Sequence, residues 1–251
     1  VYGFQIDLTT SFTGEDSLDI SIDAGNAGAA GVAEFDLNST SDKLTVDGVS
    51  YSFPVGDKIS AFVGAQGTDG SSAFTVACTY GGPSNTLDDC GNVQSGFNAM
   101  SGSSVGASYA FSDEFAVAVG YAGNGTASNK GLMTSEGLDA VGINAAYTTD
   151  TYGISATYSS VETAATKPAG SYADTSFAFN GYFSPEGFPS ISAGYEFTDI
   201  GGAADTVDEK TSFFVGLQFD EVGPGSAGLA VGTQGSVTEG SDEALMYEAC
   251  L

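Results

Sequence analysis

Short turns and long polar connections alternate along the whole chain, and an aromatic residue flanks each short turn. Thr13-Gly14-Glu15 follows Phe12, and Val55-Gly56-Asp57 follows Phe53. Ser112-Asp113-Glu114 lies between Phe111 and Phe115, and Thr149-Asp150-Thr151 between Tyr147 and Tyr152. Ser184 to Gly187 lies between Phe183 and Phe188, and Asp220 to Ser226 follows Phe219. The connections between them fall roughly at 26–42, 67–101, 123–135, 161–172, 198–210 and 235–242. They are rich in Gly, Ser, Thr, Asn and Asp, which suit solvated loops. Connections sorted by length, with rings at one boundary, are expected of a sheet that crosses a bilayer as a closed barrel.

The segments between connections repeat every two residues, as strands do. Tyr2, Phe4, Ile6 and Leu8 share one face, with Gln5, Asp7 and Thr9 on the other. Ile191, Ala193, Tyr195 and Phe197 oppose Ser192, Gly194 and Glu196, and similar alternation runs through 104–121, 141–158, 177–183 and 212–219. One face is apolar and aromatic; the other carries Gly, Ala, Ser and Asn. A soluble sandwich would show Lys, Glu, Arg and Thr on its water-facing side, where they also guard sheet edges. Small residues instead suit the inside of a barrel. No run approaches the ~18 apolar residues of a membrane helix, so a membrane-spanning form must be a closed barrel, whose backbone groups all find partners. The expected fold is all-β: a transmembrane antiparallel up-and-down β-barrel formed by one domain over 1–251. About thirteen strands are visible, ending with 243–251. At 44–53 the alternation changes parity across Asp47-Gly48, which reads as a β-bulge or a tight turn; the bulge is preferred, because a turn would leave very short strands.

Charge and composition exclude several functions. The formal net charge is −27, from 32 acids against five basic residues, all Lys, with no His and no Trp. Phosphate recognition rests on clustered Lys and Arg, so nucleic acid is excluded as a partner. Missing His removes Ser-His and Cys-His catalysis and the commonest zinc ligand, so no enzyme is expected. Cys78 and Cys90 flank a turn-rich stretch; a disulfide there would close a short loop in an oxidising compartment. Two free thiols are the alternative. Cys250 has no evident partner.

Two segments carry a family resemblance. TSFTGEDSLDISIDAGN at 10–26 and DGVSYSFPVGDKISAFVGA at 47–65 resemble successive hairpins of cyanobacterial outer-membrane porins, and ALMYEACL at 244–251 resembles a late strand. These belong to the carbohydrate-selective (OprB-like) porins. The resemblance implies about sixteen strands, a homotrimer surrounded by the lipid of the bacterial outer membrane, and passive passage of small ions and solutes. Its final strand and its N-terminal cell-wall-binding module have no counterpart here, which reads, with the odd strand count, as a trimmed chain. Where relatives place basic residues in the first hairpin, this chain has Glu15, Asp19 and Asp23.

The candidate channel-lining residues come from parity. Asp7, Asp19 and Asp23 should share the lumen face of the first hairpin, where clustered carboxylates would attract cations. The competing reading is that strand register separates them beyond the ~8–10 Å screening distance. Crowded carboxylates could also recruit Ca2+, although no calcium-loop motif is present and no metal site is assigned. Glu196 and Glu248 have lumen parity too, either lining the pore or standing solvated at its rim. Segment 67–101 is long enough to fold inward and narrow a channel. Its alternatives are a surface loop, or an extra hairpin through Phe74-Thr75-Val76.

Overall fold

The computed structural model describes residues 2–26, 40–82, 87, 89–97, 102–124, 138–163, 172–201, 208–242 and 244–251. Lys130, Lys167 and parts of the long connections lie outside them. Within the described residues fourteen strands form one sheet: β1 (Gly3–Thr10), β2 (Ser17–Gly25), β3 (Thr45–Val55), β4 (Ile59–Thr68), β5 (Gly102–Ala110), β6 (Phe115–Asn124) and β7 (Leu138–Thr148). They continue with β8 (Tyr152–Thr163), β9 (Tyr172–Phe183), β10 (Ser190–Asp199), β11 (Glu209–Val222), β12 (Gly225–Thr233), β13 (Val237–Thr238) and β14 (Leu245–Cys250). The order is β1 through β12 and then β14, each antiparallel to its neighbour, with the two-residue β13 beside β11. The main path therefore holds the thirteen strands read from the alternation. No pairing joins β14 to β1 among the described residues.

Sequence periodicity maps directly onto exposure. Along β10 buried and exposed residues alternate without a break, Ser190, Ser192, Gly194, Glu196 and Thr198 inside, Ile191, Tyr195 and Phe197 outside. Large apolar side chains are exposed along much of the sheet: Ile154 is 62% exposed, Phe179 52% and Leu229 50%. Soluble monomers rarely show continuous apolar patches beyond a few hundred Å2, whereas acyl chains accept such a surface. Rings gather at the short turns, where Phe111 lies near Phe115 at 5.4 Å and Tyr147 near Tyr152 at 6.0 Å. The bulge at Asp47 is present: Ser21 pairs with Gly48 but Ile22 pairs with Val46, leaving Asp47 unopposed. The last short turn is tighter than 220–226, because β11 runs on to Val222, which pairs with Gly225.

The β1–β2 turn shows how a short connection is set. The Asp16 carboxylate accepts from the Ser11 hydroxyl at 2.6 Å, the Phe12 and Thr13 amides at 3.0 and 2.8 Å, and the Tyr51 hydroxyl at 2.6 Å. Donation from Ser11, then Tyr51 and Thr13, holds the Asp16 carboxyl well below the ordinary aspartate value.

Candidate functional site

The small-residue side of the sheet encloses chain as well as space. The described residues of 69–97, the inner segment, leave β4 and run across the sheet's inward face. A single 3-10 turn at Gly70–Ala73 lies against β4, β5, β6 and β7. The outgoing arm then extends, and alternate amides meet side chains of the far strands. The Thr75 N–H donates to Asn144 Oδ1 on β7, Ala77 N–H to Ser155 Oγ on β8, and Thr79 N–H to Ser192 Oγ on β10, each at 2.9 Å. An extended backbone is thus held at its two-residue period by side chains rather than by a neighbouring strand. At the far end Tyr80 donates its hydroxyl to Glu248 on β14 and packs on Phe214 of β11 at 5.2 Å. Burial first, then the Glu248 contact, raises the Tyr80 phenol above its ordinary pKa.

The returning arm is held as closely. Cys78 and Cys90 are disulfide-bonded, tying the arms together across 12 residues of sequence. Asn180 on β9 donates to the Cys90 carbonyl at 2.7 Å, and Ser212 on β11 to the Gly91 carbonyl at 2.8 Å. Glycine is required where backbone lies on backbone: a Cβ at Gly194 would collide with the Cys90 carbonyl oxygen, and one at Gly120 with that of Gly70. Leu87, Cys90, Tyr80, Phe214 and Ala230 form one apolar cluster between arm and wall, and Phe97, Ala122 and Ala140 form another, with Phe74 against it. Because one segment touches inward-facing residues from β4 to β14, the sheet curls around it.

The five carboxylates singled out by parity divide into two groups. Strand register brings Asp7, Asp19 and Asp23 onto one face, on consecutive same-face rungs: Asp23 opposite Gln5, Asp7 opposite Ser21, and Asp19 opposite Thr9. Adjacent same-face rungs are about 7 Å apart along the strand, so Asp7 stands within screening distance of both other carboxylates, whereas Asp19 and Asp23, four residues apart on β2, are separated by about 13 Å. Asp7 is exposed, Asp19 half-buried and Asp23 buried. Gln5 and Ser21 donate to Asp7, each at 2.7 Å, and Thr9 and Ser17 to Asp19 at 2.7 and 2.8 Å.

Glu196 corrects the expectation that it lines open water or stands at a rim, whereas Glu248 is half-buried. Glu196 is 1% exposed and covered by the returning arm; it accepts from Gln94 N–H at 2.8 Å, Ser95 N–H at 2.7 Å and Ser95 Oγ at 2.6 Å. Glu248 holds Tyr80. A lone inward carboxylate looks the same in a sequence whether water or a folded-in amide pair faces it. Of the open alternatives for 67–101, the inward fold is the one its described residues adopt; Phe74-Thr75-Val76 is extended but pairs with no strand among the described residues. The residues missed are the neutral anchors Asn144, Ser155, Asn180, Ser192 and Ser212. Their sequence signal was their parity, shared with every other small inward residue.

Cations are scarce inside among the described residues. Lys210 on β11 has lumen parity, but it bonds Asp174 on β9 at 3.3 Å, the one ion pair among those residues. Lys58 lies at a short turn, bonding the Phe111 carbonyl at 3.4 Å. Among the described residues no group of three or more acidic, Cys or His side chains is arranged to hold a metal.

No protein-family model matches the chain, and no curated protein matches it. Solved structures do. Over 98% of its length the chain aligns with 90% of a porin refined at 1.8 Å, at 13% identity and a TM-score of 0.53. A loop-deletion mutant of OmpT, an outer membrane protein of Vibrio cholerae, aligns over 98% of this chain and 88% of its own, at 12% identity and a TM-score of 0.51. An anion-selective porin from Comamonas acidovorans aligns over 98% and 85%, at 12% identity and a TM-score of 0.50. At these identities the likeness is one of fold: an antiparallel up-and-down β-sheet of the porin type.

Proposed function

We propose that this protein is an outer-membrane diffusion channel for small hydrophilic solutes and ions, biased toward cations and narrowed by its inner segment. The observation that carries the reading is the inverted sheet: apolar and aromatic residues outside, small and polar residues inside, wrapped around a folded-in segment. Such a surface is stable in hydrocarbon. The inside performs no chemistry; passage is limited by size and field. The β1–β2 wall presents the Asp7, Asp19 and Asp23 carboxylates on one face, and the donors that hold Asp7 and Asp19 are neutral. Lys210, in contrast, is neutralised by Asp174. Cations are therefore drawn along β1–β2 and anions repelled.

The porin-type fold agrees with the resemblance of the first two hairpins and β14 to cyanobacterial carbohydrate-selective porins. We extend that resemblance to a homotrimer in a bacterial outer membrane, with sugar or anion preference weakened by the acidic first hairpin. A second reading is favoured by the reach of the inner segment from β4 to β14: a non-conducting surface barrel whose lumen is plugged. Planar-bilayer recording separates the two. The channel reading expects unitary currents and, under a salt gradient, a reversal potential of cationic sign. Folded protein that inserts without current establishes the plugged reading, and an anionic reversal potential refutes the charge argument while leaving the channel.

A further inference from the structure

The geometry points to Glu196 as a positioning residue: its ionised carboxylate is a latch that seats the returning arm of the inner segment, and its protonation releases that arm. This rests on the channel reading above only for its effect on current.

The carboxylate is buried on an inward-facing wall position, yet it is held from the arm and not from the wall. Its strand neighbours on that face are Ala178 on β9 and Ser212 on β11; Ser212 gives its hydroxyl to the Gly91 carbonyl instead. Along β10, Gly194 offers no side chain, and the Thr198 hydroxyl pairs with Ser176 at 2.8 Å. Both oxygens of Glu196 are answered by two consecutive residues of the returning arm, Oε1 by the Gln94 amide and Oε2 by the Ser95 amide and hydroxyl. Two adjacent amides aimed at one carboxylate form a small anion cradle.

The latch also governs the backbone beyond it. Directly after Ser95 and Gly96, Phe97 takes a left-handed backbone, φ 60, and inserts its ring against Ala122 and Ala140. A bulky residue holds that conformation only where its surroundings enforce it. The enforcing contacts are the cradle on one side and the Phe74 ring, 5.8 Å away, on the other.

A protonated carboxyl cannot accept from all three donors, because one oxygen then carries hydrogen directed at an N–H or O–H. The other charged groups facing this position are Lys210 on β11 and Asp174 on β9, near the next same-face rung at the Thr198–Lys210 pair, and they are bonded to each other. Residues 92–97 of the arm contribute no titratable side chain. Glu196 is thus the group whose charge decides whether this end of the inner segment stays seated.

The test uses wild type, E196Q and S95A, refolded in detergent, with folding checked by circular dichroism. Hydrogen exchange of the peptide covering 92–97 reads the latch without current. We expect its exchange in E196Q at neutral pH to rise on the order of tenfold, as for one net hydrogen bond lost. Acidification should produce the same rise in wild type and no further rise in E196Q. S95A, which removes one donor and leaves the charge, should show a smaller rise with the acid response retained. In bilayers, wild type should show an acid-dependent change in unitary current that E196Q lacks. Matching exchange in E196Q and wild type at every pH overturns the proposal. Should E196Q not fold, S95A exchange identical to wild type overturns it as well. The exchange pattern without any current supports the latch and removes the channel reading.

Discussion

Strands β7 to β12 and strands β1 to β3 share an apolar outward face and an inward face of small or polar residues, yet their inward sides have opposite fates. Ser155, Ser192 and Ser212 are buried beneath the inner segment, whereas β1 is exposed on both faces from Phe4 to Thr10. The difference lies in which polar groups face inward. The covered strands present neutral acceptors and donors at the two-residue period of an extended backbone: Asn144, Ser155 and Ser192 receive the amides of 75, 77 and 79. The open hairpin presents Asp7 and Asp19, with Asp23 buried on the same face at its end. Covering a row of carboxylates with a neutral segment would desolvate them at a cost of several kcal/mol each, with too few donors to compensate. Glu196 is covered because two amides and a hydroxyl are directed at it.

Four experiments put this contrast at risk, in falling order of magnitude. Removing the cross-link with C78S/C90S should destabilise the protein by roughly 3 kcal/mol, the chain-entropy value for a loop of this length. Urea unfolding followed by circular dichroism measures it; an unchanged midpoint would mean that the wall seats both arms without the bond. Next, Gly194→Val forces a side chain into the Cys90 carbonyl and should cost about 1–3 kcal/mol as an overpacked site. Ser50→Val, on the inward face of the open β3, should stay within about 0.5 kcal/mol. Equal losses at both positions would erase the distinction between covered and open wall.

Selectivity should follow the open wall alone. D7N/D19N is expected to move the reversal potential toward zero, while E248Q leaves it in place, because that carboxylate is engaged with Tyr80. A shift of the same size in E248Q would place the permeation path along β14 instead. The last and weakest effect concerns the β1–β2 turn. The folded-state pKa of Asp16 lies below its unfolded value, so its contribution is present above the ordinary aspartate value of about 4 and is lost as pH falls toward the folded value. The melting temperature of wild type should therefore decline more steeply below pH about 4 than that of D16N; parallel curves would assign the hydrogen bonds of Asp16 no role in stability.

Much of the fold was legible in the residues. Tyr195 and Phe197 alternating with Gly194 and Glu196 declared both the strand and the sidedness of β10, and the parity change across Asp47-Gly48 declared the bulge. Both are local, because successive side chains of a strand must point to opposite faces. The rungs that align Asp7, Asp19 and Asp23 followed from the short turn at 13–15, which leaves little freedom in register. Glu196 was found by the same parity and assigned the wrong surroundings. Parity tells that a side chain points inward and is silent on what it meets there.

Alternation, turn length and charge, all properties of neighbours in the chain, were enough to determine an up-and-down sheet with its rings outside and acidic residues on its inward face. The course of residues 69–97 emerged only in three dimensions. It depends on amides 75, 77 and 79 meeting side chains some 70 to 110 residues away, on Gly194 leaving room for Cys90, and on Glu196 finding Gln94 and Ser95 about 100 residues away. Such matches arise from the curvature that brings distant strands around a common interior, and no local pattern of residues encodes which strand will stand opposite which amide.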